Sequence, residues 1–194
     1  MIPRILHQCW VGDPMPRDVR AWVKSVGQHH PDWSHIVWTE AMLLELDINV
    51  RTLKEKYGSW ASVTNWVRLA LLMRFGGVWL DTDIEALDSL DRLPLENYKA
   101  FAAEQDGGRT CNAILAAEAY SPWILWQMQH FDDLDQKDAA QGVTLATAAP
   151  REGVTIVPQH YVFPWLYDSP PEKRVPHRDS ILCHHWLGSW VSKK

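Results

Sequence analysis

Only three of the 194 residues are cysteine, Cys9, Cys111 and Cys183, and no two form a Cys-x-x-Cys pair. An odd, widely spaced set argues against a disulfide framework or a cysteine-based structural zinc site, and for reduced thiols in a cytosolic protein. Positive charge is also short: 19 Lys and Arg face 24 Asp and Glu, a net of −5 with no basic block, and the terminal Lys193 and Lys194 are too few to change that. The electrostatic footprint of a nucleic-acid binder is therefore missing. The most apolar window, residues 60–80, contains Arg68 and Arg74 and reads as no membrane span. The opening MIPRILHQCWVG is broken by Arg4, His7 and Gln8 before a secretory apolar region forms. Repeats, low-complexity tracts and linkers are lacking too. The expectation is one domain over residues 1–194, soluble and cytoplasmic, with no transmembrane segment and with peripheral membrane contact left open.

Tryptophan is what the chain has in excess, with 12 residues in a sequence that is 46% hydrophobic. It is not among the commonest residues of globular proteins, so something here uses flat, rigid, amphipathic surfaces. The elements alternate in the α/β manner. Residues 2–10 read as a strand closed by Gly12-Asp13-Pro14, residues 17–26 as a helix with Val19, Trp22, Val23 and Val26 on one face, and residues 34–38 as a second strand. A short helix over residues 40–46 has Thr39 as its N-cap, and residues 60–75 form the strongest helix, stopped by Gly76-Gly77. Residues 78–84, 99–103 and 154–157 read as strands, 120–131 and 138–149 as helices, and 158–171 as an irregular aromatic loop. Residues 181–190 return to an apolar, aromatic pattern.

Fifteen aspartates in 194 positions predict about one Asp-x-Asp triplet by chance, and there are two. Asp133-Leu134-Asp135 lies in a polar stretch and reads as solvated surface. Asp81-Thr82-Asp83 instead follows the buried-looking Val78-Trp79-Leu80. Extended geometry would put both carboxylates on one face, where two like charges are costly without a cation between them. Oxygen ligands suit Mg²⁺ or Mn²⁺, and the place, beyond the carboxyl end of a strand, is where open α/β sheets bind ligands. Capping of the following turn is the plainer alternative. On the preceding helix Asn65 and Arg68 share a face, and an Arg in so apolar a helix needs an anionic partner: a bound ligand, or a carboxylate of the acidic cluster in a purely structural ion pair.

These residues resemble a known family. The string 61–68, Ala-Ser-Val-Thr-Asn-Trp-Val-Arg, then Leu72 and Phe75-Gly76-Gly77-Val78-Trp79-Leu80-Asp81-Thr82-Asp83, is similar to the signature of glycosyltransferases with the DXD sugar-binding region. These include bacterial capsular-polysaccharide enzymes, fungal initiating α-1,6-mannosyltransferases and, more distantly, clostridial glucosylating toxins. Residues 2–12 resemble the family's first strand and Cys183-His184-His185-Trp186-Leu187-Gly188-Ser189-Trp190 its closing motif. Between residues 96 and 175 the likeness thins to Asn112 and Pro122.

The resemblance implies a GT-A type α/β fold with a mainly parallel central sheet, a nucleotide-diphosphate sugar donor (UDP by default, with GDP-mannose users known), a divalent metal, usually Mn²⁺, and transfer with retention. It implies a glycan or polysaccharide-precursor hydroxyl as acceptor. By position, Asp81 would approach ribose and metal, Asp83 would ligate the metal, and Asn65 and Arg68 would hold the donor sugar. Trp10 would lie near the base, a closing-motif His would ligate the metal, and Trp190 would reach the leaving diphosphate. The family usually has Asp where Asn65 stands, which removes a charge but keeps hydrogen bonding. In an extended tail His184 and His185 face opposite ways. Spacing to Gly188 favours His185, while a His-x-Trp reading favours His184.

His7, His29, His30, His35, His130, His160 and His177 lack such context and read as surface or structural residues. Trp22, Trp60, Trp123 and Trp126 read as core, Trp10, Trp79, Trp186 and Trp190 as neighbours of the motifs, and Trp165 as an acceptor platform, with Trp33, Trp38 and Trp66 unassigned. A non-catalytic carbohydrate-binding protein of the same fold is the rival reading.

Overall fold

The computed structural model describes residues 1–135 and 140–187. Its centre is a six-stranded sheet in the order β2-β1-β3-β6-β5-β7, formed by β1 (Ile5–Cys9), β2 (Ser34–Trp38), β3 (Gly77–Leu80), β5 (Ala100–Glu104), β6 (Thr110–Ala117) and β7 (Val154–Val157). The pairs β1–β2, β1–β3 and β5–β7 are parallel, and β6 alone runs against its neighbours. A separate antiparallel pair joins β4 (Ile84–Ala86) to β8 (Leu182–His184). The helices are α1 (Arg17–His29), α2 (Glu40–Leu44), α3 (Val50–Tyr57), α4 (Trp60–Phe75), α5 (Pro122–Gln129) and α6 (Gln141–Ala148).

Strand alternation builds two cores. Val78 and Leu80 enter one with Leu6, Phe101, Ile114 and Phe163, whereas Trp79 enters the other with Val63, Val67, Leu71, Leu72 and Leu115 of α4 and β6. Each large side chain so buried contributes about 1.5–3 kcal/mol. Helix starts follow local chemistry: Ser59 Oγ accepts from Ser62 N at 3.0 Å, Asn49 Oδ1 accepts from Arg51 N and Thr52 N, and Thr39 caps α2.

Several boundaries differ from the sequence reading. The strand expected over 78–84 stops at Leu80, because Ile84 N turns back to the Asp81 carbonyl at 3.1 Å and the chain leaves the main sheet for β4. The helix expected over 120–131 is Pro122–Gln129, since Pro122 starts it and Tyr120 adopts a φ of 59°. The one expected over 138–149 is described from Gln141 to Ala148, residues 136–139 lying outside the described residues. Helix α3 and strand β6 were not anticipated. Thr-Cys-Asn-Ala-Ile-Leu-Ala-Ala lacks β-branched periodicity because small residues suffice for a central strand covered on both faces.

The turn between α4 and β3 fixes where the acidic triplet begins. Gly76 has φ 63° and Gly77 φ 95°, and a Cβ on Gly77 would stand 2.6 Å from the Ile5 carbonyl oxygen of β1. Beneath them lies fully buried His7, whose Nε2 donates to the Gly76 carbonyl at 2.9 Å while Nδ1 accepts from Trp38 Nε1 at 3.0 Å. Those partners admit only the neutral Nε2–H tautomer, and burial pushes the His7 pKa down to about 4 against the opposing pull of the Gly76 carbonyl.

Two outcomes are expected. Gly77→Ala combines left-handed strain of about 1–2 kcal/mol with overpacking of about 1–3 kcal/mol, whereas Gly58→Ala, at φ 77° in open space, carries the strain alone. Urea titrations should show the larger loss at Gly77, and equal losses would contradict the close approach. As pH falls from 6.5 towards 4 the unfolded chain binds a proton at His7 that the folded chain refuses, so stability present above pH 6.5 is lost on the order of 3 kcal/mol. His7→Gln should flatten that slope, leaving the slopes of His30 and His35, also pushed down by burial; an unchanged slope would rule out the assignment.

Candidate functional site

Asp81 and Asp83 sit on the turn after β3, beyond the carboxyl end of the sheet. The backbone of Asp81 is pinned from two strands: its N–H donates to the Ala113 carbonyl at 2.9 Å, and its carbonyl accepts from Gln8 Nε2 at 3.2 Å. Gln8 is itself held by His35, whose Nε2 bonds Gln8 Oε1 at 2.8 Å. The Asp81 carboxylate is held as firmly. Its Oδ1 accepts from Trp79 Nε1 at 2.7 Å and from Arg68 Nη2 at 2.7 Å.

Arg68 is 3% exposed and spans the gap between two strands, because its Nη1 also donates to the Asn112 carbonyl of β6. Its guanidinium lies 5.1 Å over the Trp79 ring, and its Nε has no partner among the described residues. The family resemblance gave Arg68 a place on the donor sugar. Here both Nη atoms hold protein oxygens, so its observed work is to orient Asp81.

Asp83 is held by the closing segment. Its Oδ1 meets His184 Nε2 at 3.0 Å, its Oδ2 accepts from Leu187 N at 2.9 Å, and its carbonyl accepts from His185 N at 2.9 Å. The left-handed Trp186, φ 55°, turns the chain so that the Leu187 N–H faces the carboxylate. Donor atoms of Asp81, Asp83 and His184 lie within 4.8 Å of one another. Burial and the neighbouring Asp83 charge push the Asp81 pKa up against Arg68. Burial pushes Asp83 up as well, but His184 and the Leu187 N–H together hold it below the usual carboxylate range.

Of the two closing-motif histidines, it is His184, not the favoured His185, whose ring lies beside the acidic pair. His185 faces away from the acidic pair, bonded to Glu85 Oε2 at 2.9 Å and stacked on Trp22 at 4.1 Å and 8°. The alternation of β8 puts His184 opposite Ile84, on the side of Asp83, as the His-x-Trp reading has it. Two carboxylates and one imidazole form a fitting donor set for Mn²⁺ or Mg²⁺, with remaining positions open to water or phosphate oxygens. The buried Nδ1 of His184 has no partner among the described residues, so it is open to take the ring proton and leave the Nε2 lone pair to such an ion.

Asn65, one turn before Arg68 on α4, is enclosed in an amide chain. Its Oδ1 accepts from Asn112 Nδ2 at 2.9 Å, and its Nδ2 donates to Gln141 Oε1 at 3.3 Å. Gly142 permits that approach, since a Cβ there would overlap Asn112 Nδ2 at 1.8 Å. Asn65, Arg68, Asn112, Gly142 and Leu145 line a small cleft between α4, α6 and β6. Sequence reasoning gave Gln8, Gln141 and Gly142 no role; a glycine and an amide at a helix start were the available signal.

Trp10 lies beyond β1 at the register of Thr82, because β1 and β3 run parallel with His7 opposite Trp79. Its indole N–H is taken by the Asp13 carbonyl at 2.6 Å, leaving a half-buried ring face. Trp190 lies outside the described residues. Trp165 does not form a platform, being 9% exposed with its carbonyl bonded by Trp186 Nε1; the exposed ring of that loop is Tyr167, 65% exposed. Trp22 is not core either, since it stacks on His185.

The comparisons with known proteins bear on the family likeness and the fold. The model of the family described as glycosyltransferase sugar-binding region containing DXD motif matches residues 16–100. Inositol phosphoceramide mannosyltransferase 3 of Schizosaccharomyces pombe is 27% identical over 128 residues, which cover 64% of this chain and 35% of that protein. The chain thus spans about a third of the length of the curated relatives it matches. Among solved structures, PaToxG glycosyltransferase superposes with a TM-score of 0.60 at 14% identity, covering 78% of this chain and 68% of that one. A glycosyltransferase involved in the glycosylation of the major capsid of PBCV-1 gives 0.58 at 10% identity, covering 96% and 95%. Likeness at such identities is one of fold. Residues 16–100 are thus similar to the sugar-binding region described for that family, and the chain has the mostly parallel α/β fold of GT-A glycosyltransferases.

Proposed function

We propose that the protein is a metal-dependent, retaining glycosyltransferase acting in the cytoplasm. It moves a sugar from a nucleotide-diphosphate donor, UDP being the first nucleotide to test, to a hydroxyl of a glycan or polysaccharide precursor. The observation that carries this reading is the convergence of Asp81, Asp83 and His184 at the carboxyl edge of the sheet. The matched relative is named as a mannosyltransferase, which makes GDP-mannose the second donor to try.

Cleaving the bond from the anomeric carbon to the diphosphate develops negative charge on the leaving group. Mn²⁺ or Mg²⁺, when bound, would stabilise that charge as a Lewis acid. Asp83 and His184 would hold the ion with Asp81, and Arg68 would keep the Asp81 carboxylate ionised and aimed. Asn65 and Asn112 would meet sugar hydroxyls by exchanging the amide bonds that Asn65 now makes with Asn112 and Gln141. The described residues lining that cleft include amides and a guanidinium but no carboxylate. Attack on the front face, guided by the departing phosphate, is the form of retention the family resemblance implies. Trp10 would face the base, and Trp190 keeps its role at the diphosphate by resemblance alone.

A nucleoside diphosphate is expected to raise the melting temperature only when Mn²⁺ is present, through binding linkage. Nucleotide-independent stabilisation by free sugars would favour the carbohydrate-binding alternative. Asp83→Ala should cut Mn²⁺-dependent donor hydrolysis and transfer by at least about 100-fold, in line with the loss of a main electrostatic stabiliser. Turnover within about twofold of the parent protein would remove Asp83 from the metal site.

A further inference from the structure

Away from the acidic pair, a second group of ligating side chains lies on the segment that leads into β8. His160 stands on the turn after β7, and His177 and Asp179 stand on the turn before Ser180. Their donor atoms lie within 4.8 Å of one another, and the two imidazole rings meet edge to face at 4.9 Å. The backbone holds the two turns together. Ser180 Oγ donates to the His160 carbonyl at 2.7 Å, Ser180 N donates to the His177 carbonyl at 2.9 Å, and Ile181 N donates to the Tyr161 carbonyl at 2.8 Å.

The detail that points to a cation is the tautomer of His177. Asp179 N–H donates to His177 Nδ1 at 3.2 Å, so Nδ1 carries a lone pair rather than a proton. Nδ1 also stands 3.5 Å from Asp179 Oδ2. An ion there would take the Nδ1 lone pair in place of the long 3.2 Å bond from the Asp179 N–H and would sit against the carboxylate. The Nδ1 to Oδ2 separation also matches the edge of about 3.4 Å that two ligands share in a tetrahedral site with bonds of 2.0–2.1 Å. Arg178 Nε reaches the same Asp179 oxygen at 3.4 Å, but its side chain is 87% exposed and such a surface pair is readily displaced.

We propose that His160, His177 and Asp179 form a second cation site, for a borderline transition-metal ion of the Zn²⁺ class, that clamps the segment entering β8. Two imidazoles and one carboxylate favour Zn²⁺ over the hard Mg²⁺, Ca²⁺ and Mn²⁺ that suit the acidic pair. The last ligand of the clamp, Asp179, lies five residues before His184, so an ion there would steady the strand that presents His184 to Asp83. None of its three ligands belongs to the acidic cluster, so binding of an ion there is testable apart from the proposed transfer.

The test is calorimetric titration of the chelator-treated full chain with Zn²⁺ alone. It is run in an Asp83→Asn background so that the other cluster is disabled. One Zn²⁺ is expected to bind, to raise the melting temperature, and to stay bound in excess Mn²⁺. Adding His177→Gln at an exposed position or Asp179→Asn at a half-buried one, both of which circular dichroism should show folded, is expected to weaken Zn²⁺ by at least about 100-fold, beyond the 10–100-fold of outer-shell changes. No Zn²⁺ uptake in the Asp83→Asn protein, displacement by Mn²⁺, or undiminished uptake in both added variants would each overturn the site.

Discussion

The ion pair between Arg68 and Asp81 is the constraint on which the rest of the site depends. An arginine in the middle of an apolar helix must find an anion, and the anion it finds at 2.7 Å is the first residue of the acidic triplet. Losing one partner of such a buried pair costs about 3–5 kcal/mol, because the other charge is left unpaired. The pair therefore ties α4 to the end of β3, and through the Asn112 carbonyl to β6 as well. Trp79 adds an indole N–H to the same carboxylate oxygen, so the side chain just inside the sheet and the one just outside it are bonded to each other.

With Asp81 immobilised, the remaining ligands arrive from the other end of the chain. β8 pairs with β4 directly after the acidic turn, which brings His184 to Asp83 across 101 positions of sequence. The same pairing consumes the Leu187 N–H and the Asp83 carbonyl, so the turn is closed by backbone as well as side chains. The two adjacent histidines divide as strand geometry requires. One faces the carboxylates, and the other packs between Glu85 and Trp22 and helps hold α1 against β4.

Much of this was legible in the sequence, for identifiable reasons. Residues 34–38, 60–75 and 154–157 were read with their observed bounds because capping residues, glycines and apolar runs mark their ends locally. Asn65, Arg68, Asp81 and Asp83 were legible because helix and turn spacing puts them on one side. What stayed hidden depended on distant partners. The alanine-rich β6 has no local strand signature, yet it supplies Asn112 and the carbonyl that Arg68 needs. The choice between His184 and His185 rests on the register of β8 against β4, which no spacing within the tail encodes. Gly142 makes sense only once α6 is seen against Asn112, and Trp165 looked available because a loop position says nothing of burial.

The most direct measurement is a crystal structure with Mn²⁺ and UDP, read by anomalous scattering at the manganese edge. The account predicts one strong Mn²⁺ peak within ligating distance of Asp83 and His184 and beside Asp81, in contact with the diphosphate, with the Arg68–Asp81 pair intact. A nucleotide bound with no Mn²⁺ at these three side chains, or Mn²⁺ bound elsewhere beside the diphosphate, would contradict it.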